Sequence, residues 1–262
     1  MSRALRMLLA ATAAGGLALS ALMTAGAASA TVSSPGTHGP GSWYFHGGTG
    51  SHAIDLAATP ASSRYFAGYQ AAVPTGSATV ATASFTVPKL SCTATARAIA
   101  PSAGVPANNY QTASVAFLFA GCVNGRAVYF PGLTVNGTET DYTTTPFAAG
   151  DVISLTTKVS VNRTRVQVTD ATTGVTKMIT GTGARASAAY FGENGWYTTS
   201  ASLLHVPDFG KLTFENCLID GKALAGWHPQ AFQRVNSNGT LQIATGGPWP
   251  GGTAFTTHFQ HT

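Results

Sequence analysis

Ile153-Ser-Leu-Thr-Thr-Lys-Val159 and, a short break later, Thr164-Arg-Val-Gln-Val168 carry apolar side chains at nearly every second position. Successive strand residues point to opposite faces, so this is the period of a half-buried β-strand. Val161-Asn162 and Thr172-Thr-Gly174 supply turn chemistry around the second run, which predicts two consecutive hairpins. Working outward, short runs rich in Val, Thr, Ile, Phe and Tyr recur at Thr79–Val87, Ser114–Gly121, Arg126–Phe130, Asp151–Ser160, Arg163–Asp170, Thr176–Thr180, Lys211–Asn216, Thr240–Ala244 and Ala254–Gln260. Gly, Asn, Pro and Asp separate them, and nothing reads as a long amphipathic helix. Many short strands with frequent turns predict an all-β fold, an antiparallel sandwich or barrel.

The ends of the chain read differently. Arg3 and Arg6, the small apolar stretch Met7–Ala27 and Ala28-Ser29-Ala30 have the layout of a secretory signal peptide over residues 1–30. No later stretch approaches the roughly 20 apolar residues of a membrane span, so a secreted chain free of the membrane after cleavage is expected. Residues 31–61, rich in Gly, Ser, Pro, His and Thr, read as a flexible leader or short pro-segment. The remaining residues 62–262 read as the β domain, expected to be a monomer.

Charge is sparse. Removing Arg3 and Arg6 from the 14 basic residues leaves 12 against 9 acidic ones, a mature balance of +3. The basic residues are scattered singly, without an aromatic-interleaved stripe, so no nucleic-acid partner is expected. Acid denaturation mostly reflects carboxylates that are ionised in the native state and must be protonated. With so few carboxylates, tolerance of acidic pH is expected. Of the three cysteines, Cys92 and Cys122 are expected to form a disulfide between neighbouring strands, which leaves Cys217 over. No C-x-x-C or H-x-H spacing suggests a metal, and no cofactor is expected.

Read in order from Ser62, a series of motifs accumulates. Ser62-Ser-Arg-Tyr-Phe-Ala-Gly-Tyr69 is similar to a Ser-x-Asn-Trp-x-Gly-Tyr opening, and Ala83-Ser-Phe-Thr-Val-Pro88 to Gly-x-Trp-Thr-Val-Pro. Asn124-Gly125, Ala149-Gly-Asp-Val-Ile153, Asp208-Phe-Gly-Lys-Leu-Thr-Phe214, Arg234-Val-Asn-Ser-Asn-Gly-Thr240 and Gly252-Thr-Ala-Phe255 continue the match to the end of the chain. In this order they resemble the glutamic peptidases (the eqolisins, formerly grouped as A4 peptidases). The resemblance implies two large antiparallel sheets packed face to face, in a concanavalin-like or jelly-roll-like sandwich with one sheet curved into a substrate groove. It also implies hydrolysis of polypeptides at acidic pH by a Gln/Glu pair, with no metal. The carboxylate takes a proton from the attacking water and returns it to the leaving amine, while the carboxamide orients water and donates to the developing oxyanion.

Glu193, one of only three glutamates, falls on the family's Ala-Glu-Trp-Ile-x-Glu pattern when Ala188 to Glu193 is laid on it, with Tyr190 at the Trp. Followed by Asn194-Gly195, it also reads as a loop glutamate before a turn. The glutamine has two placements. Phe117-Leu-Phe-Ala-Gly121 before Asn124-Gly125 puts Phe119 in the slot, and Phe119 can neither donate nor accept a hydrogen bond there. Tyr110-Gln-Thr-Ala-Ser114 gives Gln111 the role instead. Two functions follow. One is a secreted acid endopeptidase using Glu193 and Gln111. The other is an inactive module that holds polypeptide or glycan on aromatic residues, with Tyr129, Tyr190 and Trp196 as candidate substrate-binding residues beside Phe130, Phe191 and Tyr197. A carboxamide within reach of Glu193 discriminates between them.

Overall fold

A computed structural model describes residues 59–92, 97–108, 112–195, 205–249 and 251–260. The expected signal peptide, the leader up to residue 58, Gln111, Trp196 and Tyr197 lie outside the described residues. Sixteen strands run in chain order: β1 (Ala61–Ser63), β2 (Phe66–Ala72), β3 (Thr79–Thr86), β4 (Arg97–Ala107), β5 (Thr112–Val123), β6 (Arg126–Val135), β7 (Thr138–Asp141), β8 (Val152–Val159), β9 (Arg163–Asp170), β10 (Thr176–Thr182), β11 (Ala188–Gly195), β12 (Lys211–Ile219), β13 (Lys222–Ala223), β14 (Gln230–Val235), β15 (Leu241–Thr245) and β16 (Phe255–Phe259). One 3₁₀ turn, Leu224–Trp227, interrupts them.

The strands join in one continuous path, β10-β9-β8-β3-β12-β16-β15-β14-β2-β11-β4-β5-β6-β7, with β1 beside β14 and β13 beside β12. Apart from β1, which runs parallel to β14, the paired strands are antiparallel. The path folds over on itself, so that β8 and β9 pack beneath β4, β5 and β6. The result is the antiparallel β-sandwich expected from the sequence. β12 is the strand that changes layers. Its first half pairs with β16 and its second with β3, with a register shift between Glu215 and Leu218.

The opening alternation has the expected outcome. β8 and β9 alternate buried and accessible residues, and Ile153, Leu155, Val159, Val166 and Val168 enter the core between the layers. Strands β4, β5 and β11 are buried on both faces. Their inner faces supply Ile99, Ala103, Val105, Ala116, Leu118, Ala120, Ala189 and Phe191 to the same inter-layer core. Their outer faces belong to a second apolar cluster, made of Phe66, Ala98, Ala100, Ala113, Val115, Phe117, Phe119, Phe130, Tyr190 and Phe232, all from one layer. One buried hydroxyl ties the layers together. Thr157 Oγ1 of β8 accepts from the Ala116 N–H at 3.0 Å and donates to the Ala103 carbonyl at 2.8 Å.

The disulfide joins Cys92 and Cys122. Cys122 lies in β5 as expected, whereas Cys92 lies in the connection before β4. Cys217 is free and buried.

Candidate active site

Glu193 is not a loop residue. It sits inside β11, whose backbone pairs on both sides, with Glu193 opposite Ala67 of β2 and Pro101 of β4. Two flanking partners hold Asn194 and Gly195 extended, so the Asn-Gly turn signal is overridden by tertiary pairing. Directly paired residues share a face, and Ala67 belongs to the inter-layer core. The Glu193 carboxyl therefore points into the sandwich, where it has no solvent exposure.

Its surroundings there are few and specific. The Thr257 hydroxyl on β16 donates to Glu193 Oε1, while Oε2 has no hydrogen-bond partner. Burial pushes the Glu193 carboxyl up to about 8, with the Thr257 hydrogen bond and the positive charge of the fully buried Arg234 opposing the rise. No described carboxamide bonds to it.

The outer face of the same strands carries different chemistry. Tyr190 is fully buried there, its ring lying over Gly104, its direct partner on β4, where an added Cβ would fall 2.3 Å from the ring. Phe117 lies over Gly132 in the same way, at 2.1 Å. Phe119 covers Gly121 and stacks on Phe130 with centroids 4.5 Å apart. Phe66 meets Tyr190 edge-on at 5.5 Å. Among these rings runs a short polar line. Ser102 Oγ donates to the Gly192 carbonyl at 3.0 Å, and Asn194 Nδ2 donates to Ser102 Oγ at 2.6 Å and to the Tyr190 hydroxyl oxygen at 3.3 Å. Gln70 and Gln230, paired across β2 and β14, flank this line beside Tyr190.

The sequence-predicted residues are thus not assembled in one place. Tyr190 and Phe119 share the outer face, whereas Glu193 and Tyr129 point the other way. Tyr129 is a core residue: its hydroxyl donates to the Pro88 carbonyl at 2.9 Å and accepts from the Leu90 N–H at 3.2 Å. Alternation explains what the motif reading missed. The glutamates of Ala-Glu-Trp-Ile-x-Glu fall on Ala189 and Glu193, both inward. Sliding the pattern by one residue transfers both positions to the other face of the strand. They then fall on Tyr190 and Asn194, on the same outer face as Phe119, with β4 between. The sequence signal that could have revealed this is the flanking pair Ala189 and Phe191, apolar at the positions alternating with Tyr190.

The fold and the inventory of its faces define a class, a two-layer β-sandwich of the glutamic-peptidase type. Scytalido-glutamic peptidase bound to a transition-state analogue inhibitor is similar at 16% identity, with a TM-score of 0.59 over 75% of this chain and 98% of that one. SCP-B, an eqolisin complexed with the tripeptide Ala-Ile-His, is similar at 14% identity with a TM-score of 0.59, again over 75% and 98%. Aspergilloglutamic peptidase from Aspergillus niger is similar at 16% identity and a TM-score of 0.53, over 63% of this chain and 99% of that one. Among curated proteins there is no match. The Peptidase A4 family profile matches residues 64–247, and the chain belongs to that family.

Proposed function

We propose that this protein is a secreted, monomeric polypeptide-binding member of the Peptidase A4 family that does not hydrolyse peptides through Glu193. The observation that carries this reading is the direction of one side chain. The Glu193 carboxyl is enclosed between the layers, while the outer face carries Phe119, Tyr190 and Asn194, all buried and none a carboxylate. Protonation argues the same way. Burial raises the Glu193 carboxyl well above the usual carboxylate range, which disfavours the ionised form that a general base needs in acid. Phenylalanine has no group to orient water, and the Asn194 amide is engaged with Ser102 and Tyr190. Aromatic rings flanked by the carboxamides of Gln70 and Gln230 suit the apolar side chains and backbone amides of an extended polypeptide. Export is supported by the signal-type sequence at residues 1–30 and by the Cys92–Cys122 disulfide, a bond favoured in oxidising compartments.

A second reading, acid endopeptidase activity, is favoured by the family membership itself. One experiment separates the two. The purified mature chain is incubated with an unfolded protein from pH 2 to 7, beside Glu193→Gln, and both cleavage and retention of the substrate are followed. Retention without cleavage in both proteins is the expected result. Acid-optimal cleavage that disappears in Glu193→Gln would overturn the proposal.

A further inference from the structure

At the far side of the outer face lies a polar corner that neither the motif matches nor the reading above uses. β7 carries Glu139 and Asp141 two residues apart, on one face of the strand. Their partners on β6 are Thr134 and Gly132 respectively. Val115, opposite Thr134 on β5, and Phe117, opposite Gly132, both belong to the outer cluster. The two carboxyl groups therefore sit on the outer face, beside the ring of Phe117.

They are half-buried on one strand face, where two neighbouring carboxylates repel unless they share a proton. Burial raises both above the usual carboxylate range. For Glu139 the Asp141 charge and the mutual hydrogen bond add to the rise, and for Asp141 the hydrogen bond opposes it. A second, independent observation marks the corner. Thr134 has no solvent exposure, and its Oγ1 has no hydrogen-bond partner although it faces Glu139 directly across the ladder. Asp141 Oδ1 is also buried without a partner. A buried polar oxygen without a partner costs about 1–3 kcal/mol, so two at one place point to a missing donor. The charged group on the neighbouring β10 is Lys177, whose Nζ lies over the Tyr142 ring, 5.2 Å from its centroid.

We infer that Glu139, Asp141 and Thr134 form a subsite for a primary ammonium group, the side chain of a lysine or the terminal amine of a bound polypeptide. Three oxygens stand on one face: one from each carboxylate and the Thr134 hydroxyl. An ammonium has three N–H donors and no acceptor, so it satisfies all three. Its positive charge removes the need for the shared proton and lets both carboxyls ionise. The identity of the ligand rests on the polypeptide-binding reading, but the ammonium site itself does not.

The test uses the mature chain and two probes. In the first arm, the carboxyl resonances of Glu139 and Asp141 are titrated by NMR with and without n-butylammonium, with n-butanol at equal concentration and sodium chloride at equal ionic strength as controls. Near-saturating n-butylammonium is expected to lower the pair's upper titration midpoint by about one unit, equivalent to roughly tenfold preference for the doubly ionised pair. Neither control should do so, and Thr134→Val should weaken the response while leaving the protein folded. An unmoved midpoint, or equal movement with a control, would overturn the subsite. In the second arm, N-acetylated alanine-based peptides with a central lysine or norleucine are compared at neutral pH, beside a lysine-free peptide with a free amino terminus. About tenfold tighter binding of the lysine peptide, lost in Glu139→Gln/Asp141→Asn, assigns the side chain. Tighter binding of only the free-terminus peptide assigns the amine. A response to n-butylammonium with no peptide bound supports the subsite and sinks the polypeptide reading. Peptide binding without any ammonium response does the reverse.

Discussion

At the scale of single residues, Glu193 governs how stability responds to pH. Its carboxyl is held near 8 in the folded protein, against an ordinary value of 4.5. The folded state therefore binds more protons than the unfolded state between those values, and stability falls as pH rises through that window. The loss is on the order of a few kcal/mol. Glu193→Gln should flatten the slope of unfolding free energy between pH 4.5 and 8, measured by urea unfolding at both ends. An unchanged slope would contradict the enclosed position described above. Glu139 and Asp141, also raised, act in the same direction, which gives the acid tolerance expected from composition a specific cause. Cys217 supplies a second residue-level expectation. Burial, with the charge of Glu215 beside it, pushes its thiol far above the ordinary range. A thiol reagent should therefore label it only after unfolding; rapid labelling of the native protein would argue against the packing of β12.

At the scale of elements, the pairing of rings with glycines across the ladder holds the outer face in shape. Gly132→Ala would drive a methyl group to within 2.1 Å of the Phe117 ring and should cost about 1–3 kcal/mol in thermal or urea unfolding. Phe117→Leu in the same chain should recover part of that loss, because the contact is with the ring. These strands also mark where sequence reading succeeds and fails. β8 and β9 have one face in the core and one in solvent, so their period is printed in the residues. β4 and β11 are buried on both faces and rich in Ala and Gly, so no alternation remains to be read. Hence Glu193 was found but its direction was not, since direction depends on which neighbours pair with β11. β7, with Glu139 and Asp141, lies outside the runs that read as strands, and the orphan Thr134 hydroxyl that gives the pair meaning belongs to another strand.

For the molecule as a whole, the two layers are a single sheet passed through β12, and a covalent bond secures it. The Cys92–Cys122 link closes a sequence separation of 30 residues. In the chain-entropy account this stabilises the fold by about 3–4 kcal/mol. Cys92→Ala/Cys122→Ala should lower the urea midpoint and steepen the dependence of unfolding free energy on urea, because the unfolded chain without the cross-link exposes more surface. Among the described residues β10 and β7 are the two ends of the main path, each paired on one side, while the short β1 and β13 branch from β14 and β12. A strand paired on one side presents a template on which a second molecule can build. On β10 the guard is Lys177, next to the exposed Met178; on β7 it is Glu139 and Asp141, and that guard depends on ionisation. Acidification, which strengthens each folded molecule, therefore removes the repulsion at one border of the sheet and turns that border toward intermolecular strand addition.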